Sequence, residues 1–351
     1  MNCIGNNMMK IFENNDIKIV RSNDYNYNFN KNNGYFERWG KDLNDDPNYA
    51  PAPEILDLEI TTSCKYCCPW CYKSNNVNGK NLSFENFKII FDKINKDKFL
   101  TQIAFGVDAY CKSNKDIWKM MDYCRNNGVI PNVTVAELDD ETADMISKYC
   151  GACAVSQYDN KDICYNTVKK LTDRGMTQIN IHKMLCSEKY NQVLELIDDI
   201  KYDNRLSKLN ALVFLSLKQK GRGIFFNKLT LEQFTNIIQK SFESKINFGF
   251  DSCTASKFLK VAKLLGMYDK VHVFTEPCES SLFSSYINVE GKFFPCSFSE
   301  NEDNWKEGLD VLNCNDFIKD IWMNEKTIEF RNKLLKNLDC NKCRCCPLYD
   351  I

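Results

Sequence analysis

The residues best suited to chemistry in this sequence lie between Thr61 and Tyr72, in the run TTSCKYCCPWCY. Cys64, Cys68 and Cys71 stand at C-x3-C-x2-C spacing, with the aromatic Tyr72 directly after the third. Three thiolates on so short a loop can close around one metal centre. Structural zinc usually takes four protein ligands, often as two C-x2-4-C pairs or with histidine. Here the local supply is three, with Cys67 as a spare. Three ligands to a four-iron cube leave one iron open to an exchangeable ligand. A zinc knuckle or an unassembled group of cysteines is the competing reading of this loop.

A second group lies near the other end of the chain. Cys278, Gly291 and Cys296 form C-x12-G-x4-C, Cys340 and Cys343 form C-x2-C, and Cys345 and Cys346 follow. Gly291 suits a tight hairpin between Ile287 and Phe294, because such turns ask for positive φ. That hairpin would bring Cys278 and Cys296 towards one point. Four thiolates suit zinc as well as iron–sulfur, so a structural zinc site competes here too. Cys253 ends a strand beside Asp251, and for it a cluster ligand, a substrate contact and a packed thiol all stay open. Cys111, Cys124, Cys150, Cys153, Cys164 and Cys186 read as small packing residues.

Composition bounds the chemistry. With only two histidines, His182 and His272, His-rich zinc sites and a Ser-His-Asp mechanism are improbable. Acid–base work falls to carboxylates, Tyr, Lys or Cys. A net charge of -1 gives no footprint for nucleic acid or an anionic membrane. No run reaches transmembrane length, and MNCIGNNMMK lacks the apolar stretch of a secretory signal. The expected location is cytoplasmic, where 19 cysteines point to metal or catalysis rather than disulfides.

The elements that must position these residues follow a rhythm. Residues 1–50 form a polar N-terminal arm, with 17–20 (IKIV) as one strand of a hairpin and NDYNYNFNKNNGY as an exposed low-complexity loop. From there strands and helices alternate. Strands are expected at 55–60, 101–106, 129–136, 151–157, 178–185 and 209–217, with one more at 246–253. Ser83 and the Thr230/Gln233 capping box open two of the intervening helices. Six strand–helix repeats imply parallel strands with right-handed crossovers and ligands at the strand C-terminal ends. The cysteine loop follows the first strand, at that end. The expected domains are the arm (1–50), a barrel core (51–253) and a smaller cysteine-rich α+β domain (254–351).

The Cys64–Cys71 segment resembles the signature of the radical S-adenosylmethionine (radical SAM) superfamily. Its open iron is chelated by SAM, and its fold is a partial (β/α)6 TIM-like barrel. The C-terminal cysteines resemble the start of a SPASM domain, the auxiliary-cluster extension of many such enzymes. The shorter one-cluster "twitch" form fits better, since the chain stops soon after Cys346-Pro347. The resemblance implies a SAM-binding [4Fe-4S] cluster at Cys64, Cys68 and Cys71. It also implies an auxiliary [4Fe-4S] cluster at Cys278, Cys296, Cys340 and Cys343, with Cys345 or Cys346 as a substitute ligand. For SAM itself it implies the adenine against the backbone at Tyr72, the ribose at Ser156 and the carboxylate at Arg222. Asp108, in Gly106-Val107-Asp108-Ala109, stands in for the glutamate of the family's GGE segment, one methylene shorter and with one glycine missing.

The function so implied is reductive cleavage of SAM and hydrogen-atom abstraction from a peptide, protein or small-molecule substrate. The electron donor would be of flavodoxin or ferredoxin type. No peptide-leader-binding domain is recognised before the barrel, and no catalytic side chain is identified. The contrasting function is a non-catalytic cysteine-rich zinc or iron–sulfur protein used in binding or electron transfer. A simple carrier would not need a barrel with SAM landmarks at its strand ends.

Overall fold

A computed structural model describes residues 9–340 and 342–349. Four antiparallel strands come first: β1 (Lys10–Glu13), β2 (Ile17–Arg21), β3 (Asn26–Asn30) and β4 (Phe36–Trp39), paired in that order. The run expected to be an exposed loop therefore holds strand β3 at its centre. Its alternation explains the difference: Tyr25, Tyr27 and Phe29 fall on one face and are buried, whereas low complexity alone suggested a loop.

Seven parallel strands follow in sequence order: β5 (Ile55–Glu59), β6 (Gln102–Gly106), β7 (Ile130–Val135), β8 (Ala152–Ser156), β9 (Ile179–Leu185), β10 (Ala211–Ser216) and β11 (Phe248–Phe250). Each lies within three residues of its expected bounds. The helices between them are α1 (Phe84–Ile94), α2 (Ile117–Asn126), α3 (Asp140–Tyr149), α4 (Lys161–Asp173), α5 (Tyr190–Tyr202) and α6 (Leu231–Ser244). Ser83 caps α1 and the Thr230/Gln233 box caps α6, as their types dictate. The stripe Phe87, Ile90, Phe91 and Ile94 of α1 is buried, which fixes that helix on the sheet. Strands β5 and β11 do not pair, so the barrel is partial.

The C-terminal residues extend the same sheet. Strand β12 (Ser284–Ile287) pairs parallel with β5, and β13 (Lys292–Phe294) and β14 (Leu309–Asp310) follow antiparallel. Gly291 sits in the turn between β12 and β13 at φ +74°, and a Cβ there would meet the Leu312 side chain at 2.6 Å. A last helix, Glu325–Lys336, leads to the final cysteines.

The N-terminal sheet covers the N-terminal ends of the barrel strands. Lys18 Nζ donates to Leu100 O (2.6 Å), just before β6. Arg38 pairs with Glu54, just before β5, through two bonds of 2.7 Å. The strand C-terminal ends therefore form the accessible mouth. Among the described residues no helix is long and apolar enough to cross a membrane.

Candidate active site and cysteine centres

The cysteine loop leaves β5 and returns to α1 as a closed excursion. Thr62 N donates to Lys80 O (3.0 Å), Cys64 N to Asn76 O (2.7 Å) and Leu82 N to Ile60 O (3.0 Å), so its two ends are zipped together. Inside it, Cys71 N donates to Cys68 O (3.2 Å). The loop overhangs a cavity of about 420 Å³ at the barrel mouth. Cys64, Cys68 and Cys71 border that cavity, as does Cys67. Cys67 differs from the other three: it is exposed, sits at φ +49° and gives its thiol to Cys64 O (3.4 Å).

The cavity exists because of the inward positions of the strands. Asp57, Ala104, Thr134, Ser156, His182 and Leu215 line it, and the small side chains among them leave the lumen unfilled. His182 is half-buried in the cavity wall, and desolvation there holds its pKa down at about 4. Asp57 is exposed to the cavity, yet desolvation inside the barrel, with the nearby Glu279, pushes its pKa up to about 6. Burial likewise raises the Cys68 thiol to about 11, so a free thiolate is disfavoured there. A bound metal reverses that preference, because a coordinating thiol is deprotonated.

Two of the expected SAM-contacting residues, Tyr72 and Ser156, border the cavity directly. Arg222 also borders it, but most of its guanidinium is engaged with the cysteine loop. Its Nε donates to Cys68 O (2.8 Å), its Nη2 to Asn75 O (3.1 Å), and its backbone N to Cys71 O (3.0 Å). Asp108 does not border the cavity. Its buried carboxylate accepts from the backbone N–H groups of Tyr110 (2.9 Å), Lys112 (2.9 Å) and Ser113 (2.6 Å), folding the loop after β6. The shorter side chain and the following polar loop turn the acid onto its own backbone.

The sequence reading missed the aromatic wall. Tyr158 packs against Tyr66 (4.6 Å between centroids) and Trp70 (5.5 Å), and Trp70 meets Phe226 edge-on (5.8 Å). The signal was there, in aromatics within the cysteine loop and just after β8, but their partners are far apart in sequence. It also missed a clamp. In the turn Lys220–Gly223, Gly221 at φ +53° lies so close to the cysteine loop that a Cβ would meet Tyr72 O at 2.3 Å. Lys220 Nζ reaches the other way, to Phe298 O (2.9 Å) and Glu302 Oε1 (3.0 Å), just beyond Cys296. Tyr72 itself packs on Phe298 at 4.5 Å.

The C-terminal cysteines fall into two sets. Cys278 is buried and Cys296 half-buried close to one another, and Cys346 lies near enough to act electrostatically on both. Cys343 is buried beside Cys345, and these two direct their thiols to the backbone oxygens of Arg344 (3.9 Å) and Cys343 (3.8 Å). Cys340 is exposed on the turn closed by the Leu338–Arg344 bridge. Cys314 stands apart, its thiol on Val311 O (3.3 Å). Among the described residues no three His, Cys, Asp or Glu side chains converge tightly enough for a single ion. A cubane asks for something different, one thiolate at each of several corners; Cys64, Cys68 and Cys71 border one cavity, and Cys345 and Cys346 border another.

Residues 278–347 match the SPASM iron–sulfur cluster-binding domain. The fold is shared with SuiB of Streptococcus suis, solved bound to S-adenosylmethionine. That match has a TM-score of 0.64 and 15% identity, over 84% of this chain and 72% of that one. BtrN in complex with AdoMet and 2-DOIA overlaps more loosely, at a TM-score of 0.43 and 15% identity, over 80% of this chain and 87% of that one. No curated protein matches in sequence. The first two findings agree with the resemblance drawn from the cysteine spacing. The chain shares the fold of SuiB, and the segment after the barrel matches the SPASM iron–sulfur domain model.

Proposed function

We propose that this protein is a radical SAM enzyme that acts on a peptide, protein or small-molecule substrate held at the barrel mouth. The observation that carries the reading is the position of Cys64, Cys68 and Cys71. They come from one closed loop at the C-terminal end of the first barrel strand, over a cavity large enough for a nucleoside-sized ligand. The donor set fits an iron–sulfur cube with one open corner. Such a cluster, when bound, supplies the low-potential electron that cleaves SAM to methionine and the 5′-deoxyadenosyl radical that takes a hydrogen atom from substrate.

The chain's own residues bind and shield. The three cysteines hold the metal centre, and the Arg222 contacts to Cys68, Asn75 and Cys71 keep the loop in register. Ser156 and the backbone at Tyr72 bound the space for the SAM nucleoside. Arg222 Nη1 makes no hydrogen bond among the described residues and is assigned to the SAM carboxylate. The wall of Tyr66, Trp70 and Tyr158 excludes water from one side. His182, held neutral, and Asp57 face the lumen below, where substrate would reach. The SPASM region carries at least one further cluster, built on Cys278 and Cys296. The electron donor is assigned to the flavodoxin or ferredoxin class.

The test is spectroscopic. Anaerobically purified protein should be brown, with broad absorbance near about 400 nm from thiolate-bound iron–sulfur centres. Adding SAM to the reduced protein should change the electron paramagnetic resonance (EPR) signal of one cluster. Colourless protein carrying zinc, or a signal indifferent to SAM, would overturn the proposal.

A further inference from the structure

The third and fourth corners of the C-terminal cluster are the question that the SPASM match leaves open. Cys278 and Cys296 lie together inside the matched region, and two more thiolates are needed to close a cubane. The sequence offers Cys340, Cys343, Cys345 and Cys346 within seven residues, and spacing cannot choose among them. Geometry can.

The last segment is tied down at both members of the pair. Arg344 Nε donates to Cys278 O (3.1 Å), and Tyr349 Oη donates to Phe298 O (3.2 Å), two residues beyond Cys296. These bonds swing Cys346 towards Cys278 and Cys296, while Cys340 stays exposed at the far end of the turn. From the barrel side, a cavity of about 400 Å³ is lined by Cys253 together with Cys345 and Cys346. Cys253 lies in the short turn Ser252–Thr254 that follows β11, before α7 (Ala255–Leu264). Asp251 N to Phe214 O (3.0 Å) and Thr254 N to Asp251 O (2.8 Å) hold that turn on the barrel rim. Ser256, one turn further on, bonds Asp339 Oδ2 (2.6 Å) and draws the start of α7 against the C-terminal turn.

The thiols divide accordingly. Cys343 and Cys345 point at backbone carbonyls and Cys278 at Ser280 Oγ (3.4 Å), whereas Cys253, Cys296 and Cys346 make no thiol hydrogen bond among the described residues. Beside Cys253 sits the buried ammonium of Lys218, which also acts on Cys296, stands 4.8 Å over the Phe298 ring and pairs with Asp251. A buried cation between two thiols suits an anionic metal–thiolate centre, whose potential responds to nearby charge.

We propose that Cys253, a residue of the barrel and outside the SPASM match, is an iron ligand of the C-terminal cluster, completing a four-thiolate set with Cys278, Cys296 and Cys346. The inference rests on the reading that this region carries an iron–sulfur cluster. It makes that cluster a bolt between the two parts of the chain, since one corner is fixed to the rim at β11 and three to the extension. Lys218 is then a positioning residue that tunes the cluster through its charge.

The experiment uses the full chain in which Cys64, Cys68 and Cys71 are all alanine, so that only C-terminal iron is counted. Reconstituted anaerobically with ferrous iron and sulfide, this background should bind about four irons. Binding of no iron, or of zinc in its place, would overturn the underlying reading. In that background Cys253→Ala and Cys346→Ala should each lower retained iron at least twofold or convert the cubane to a three-iron form visible by Mössbauer and EPR. Cys340→Ala should keep the parent spectrum. Cys253→Ser guards against a folding defect. It should melt within a few degrees of the parent and still show one altered iron site, because oxygen replaces sulfur at one corner. Parent iron content and parent spectra in both Cys253 variants would overturn the inference, as would loss of the cluster in Cys340→Ala alone.

Discussion

The two cysteine regions assemble their thiols by opposite routes. The first draws Cys64, Cys68 and Cys71 from eight consecutive residues, on a loop whose ends are zipped by backbone hydrogen bonds. The second gathers thiols from segments that start at Cys278, Cys296 and beyond Asn337, and it depends on side-chain ties such as Arg344 to Cys278 O. A local motif carries its geometry with it. A gathered site exists only once the fold has formed. The turn Lys220–Gly223 links the two, with Arg222 on the first region and Lys220 on the second.

The sharpest way to break the comparison is to delete the local motif. Cys64→Ala, Cys68→Ala and Cys71→Ala together should remove about four irons per chain, one cubane, and leave the C-terminal iron in place. Unchanged iron content would show that the loop holds no cluster. Cys67→Ala alone should change nothing, since that thiol is exposed and spent on Cys64 O.

Next in size is the clamp. Gly221→Ala puts a Cβ 2.3 Å from Tyr72 O at a residue with φ +53°, so the turn must back away from the cysteine loop. The left-handed conformation alone costs about 1–2 kcal/mol for a residue with a Cβ. We expect a lower melting temperature and partial loss of iron from the first site, with the C-terminal site retained. Wild-type melting and iron content would remove the clamp from the account.

The sequence made the barrel strands and both cysteine groups legible, because periodicity and spacing are local. It left Asp108 ambiguous: Gly106-Val107-Asp108-Ala109 has the right place for a ligand-binding acid, but nothing local says which way the carboxylate turns. In the structure three backbone N–H groups take it. Tyr25, Tyr27 and Phe29 were hidden by the asparagines between them, although that alternation is itself a strand pattern. Cys253 and Cys346 were visible as residues but not as neighbours, since only tertiary folding sets their separation.

Asp108 gives a prediction that separates loop folding from ligand binding. Asp108→Ala should destabilise by about 1–3 kcal/mol, since it leaves buried donors without their acceptor. Denaturant melts measure this, and SAM affinity of the folded variant should stay within about twofold. A large loss of SAM affinity at unchanged stability would restore the acid to the SAM site.

The smallest expected effect is at Asp57. Its native pKa, raised to about 6, exceeds the ordinary 3.8 of an exposed aspartate. Between those values the folded state binds more protons than the unfolded state, so this group lowers stability as pH rises from about 4 to 6, and the loss persists above that. Asp57→Asn should flatten the melting curve over that window and melt slightly higher than wild type at pH 7.5. An unchanged pH profile would show that water in the cavity solvates the carboxylate fully.

The central claim is that the cysteine loop prepares SAM for reductive cleavage, and product formation tests it most directly. Reconstituted wild-type protein, given SAM and dithionite without oxygen, should release 5′-deoxyadenosine, and the variant lacking Cys64, Cys68 and Cys71 should release none. Wild-type protein with its full complement of about eight irons that forms no 5′-deoxyadenosine would contradict the account. The chain would then be an iron–sulfur protein that keeps the barrel without its chemistry.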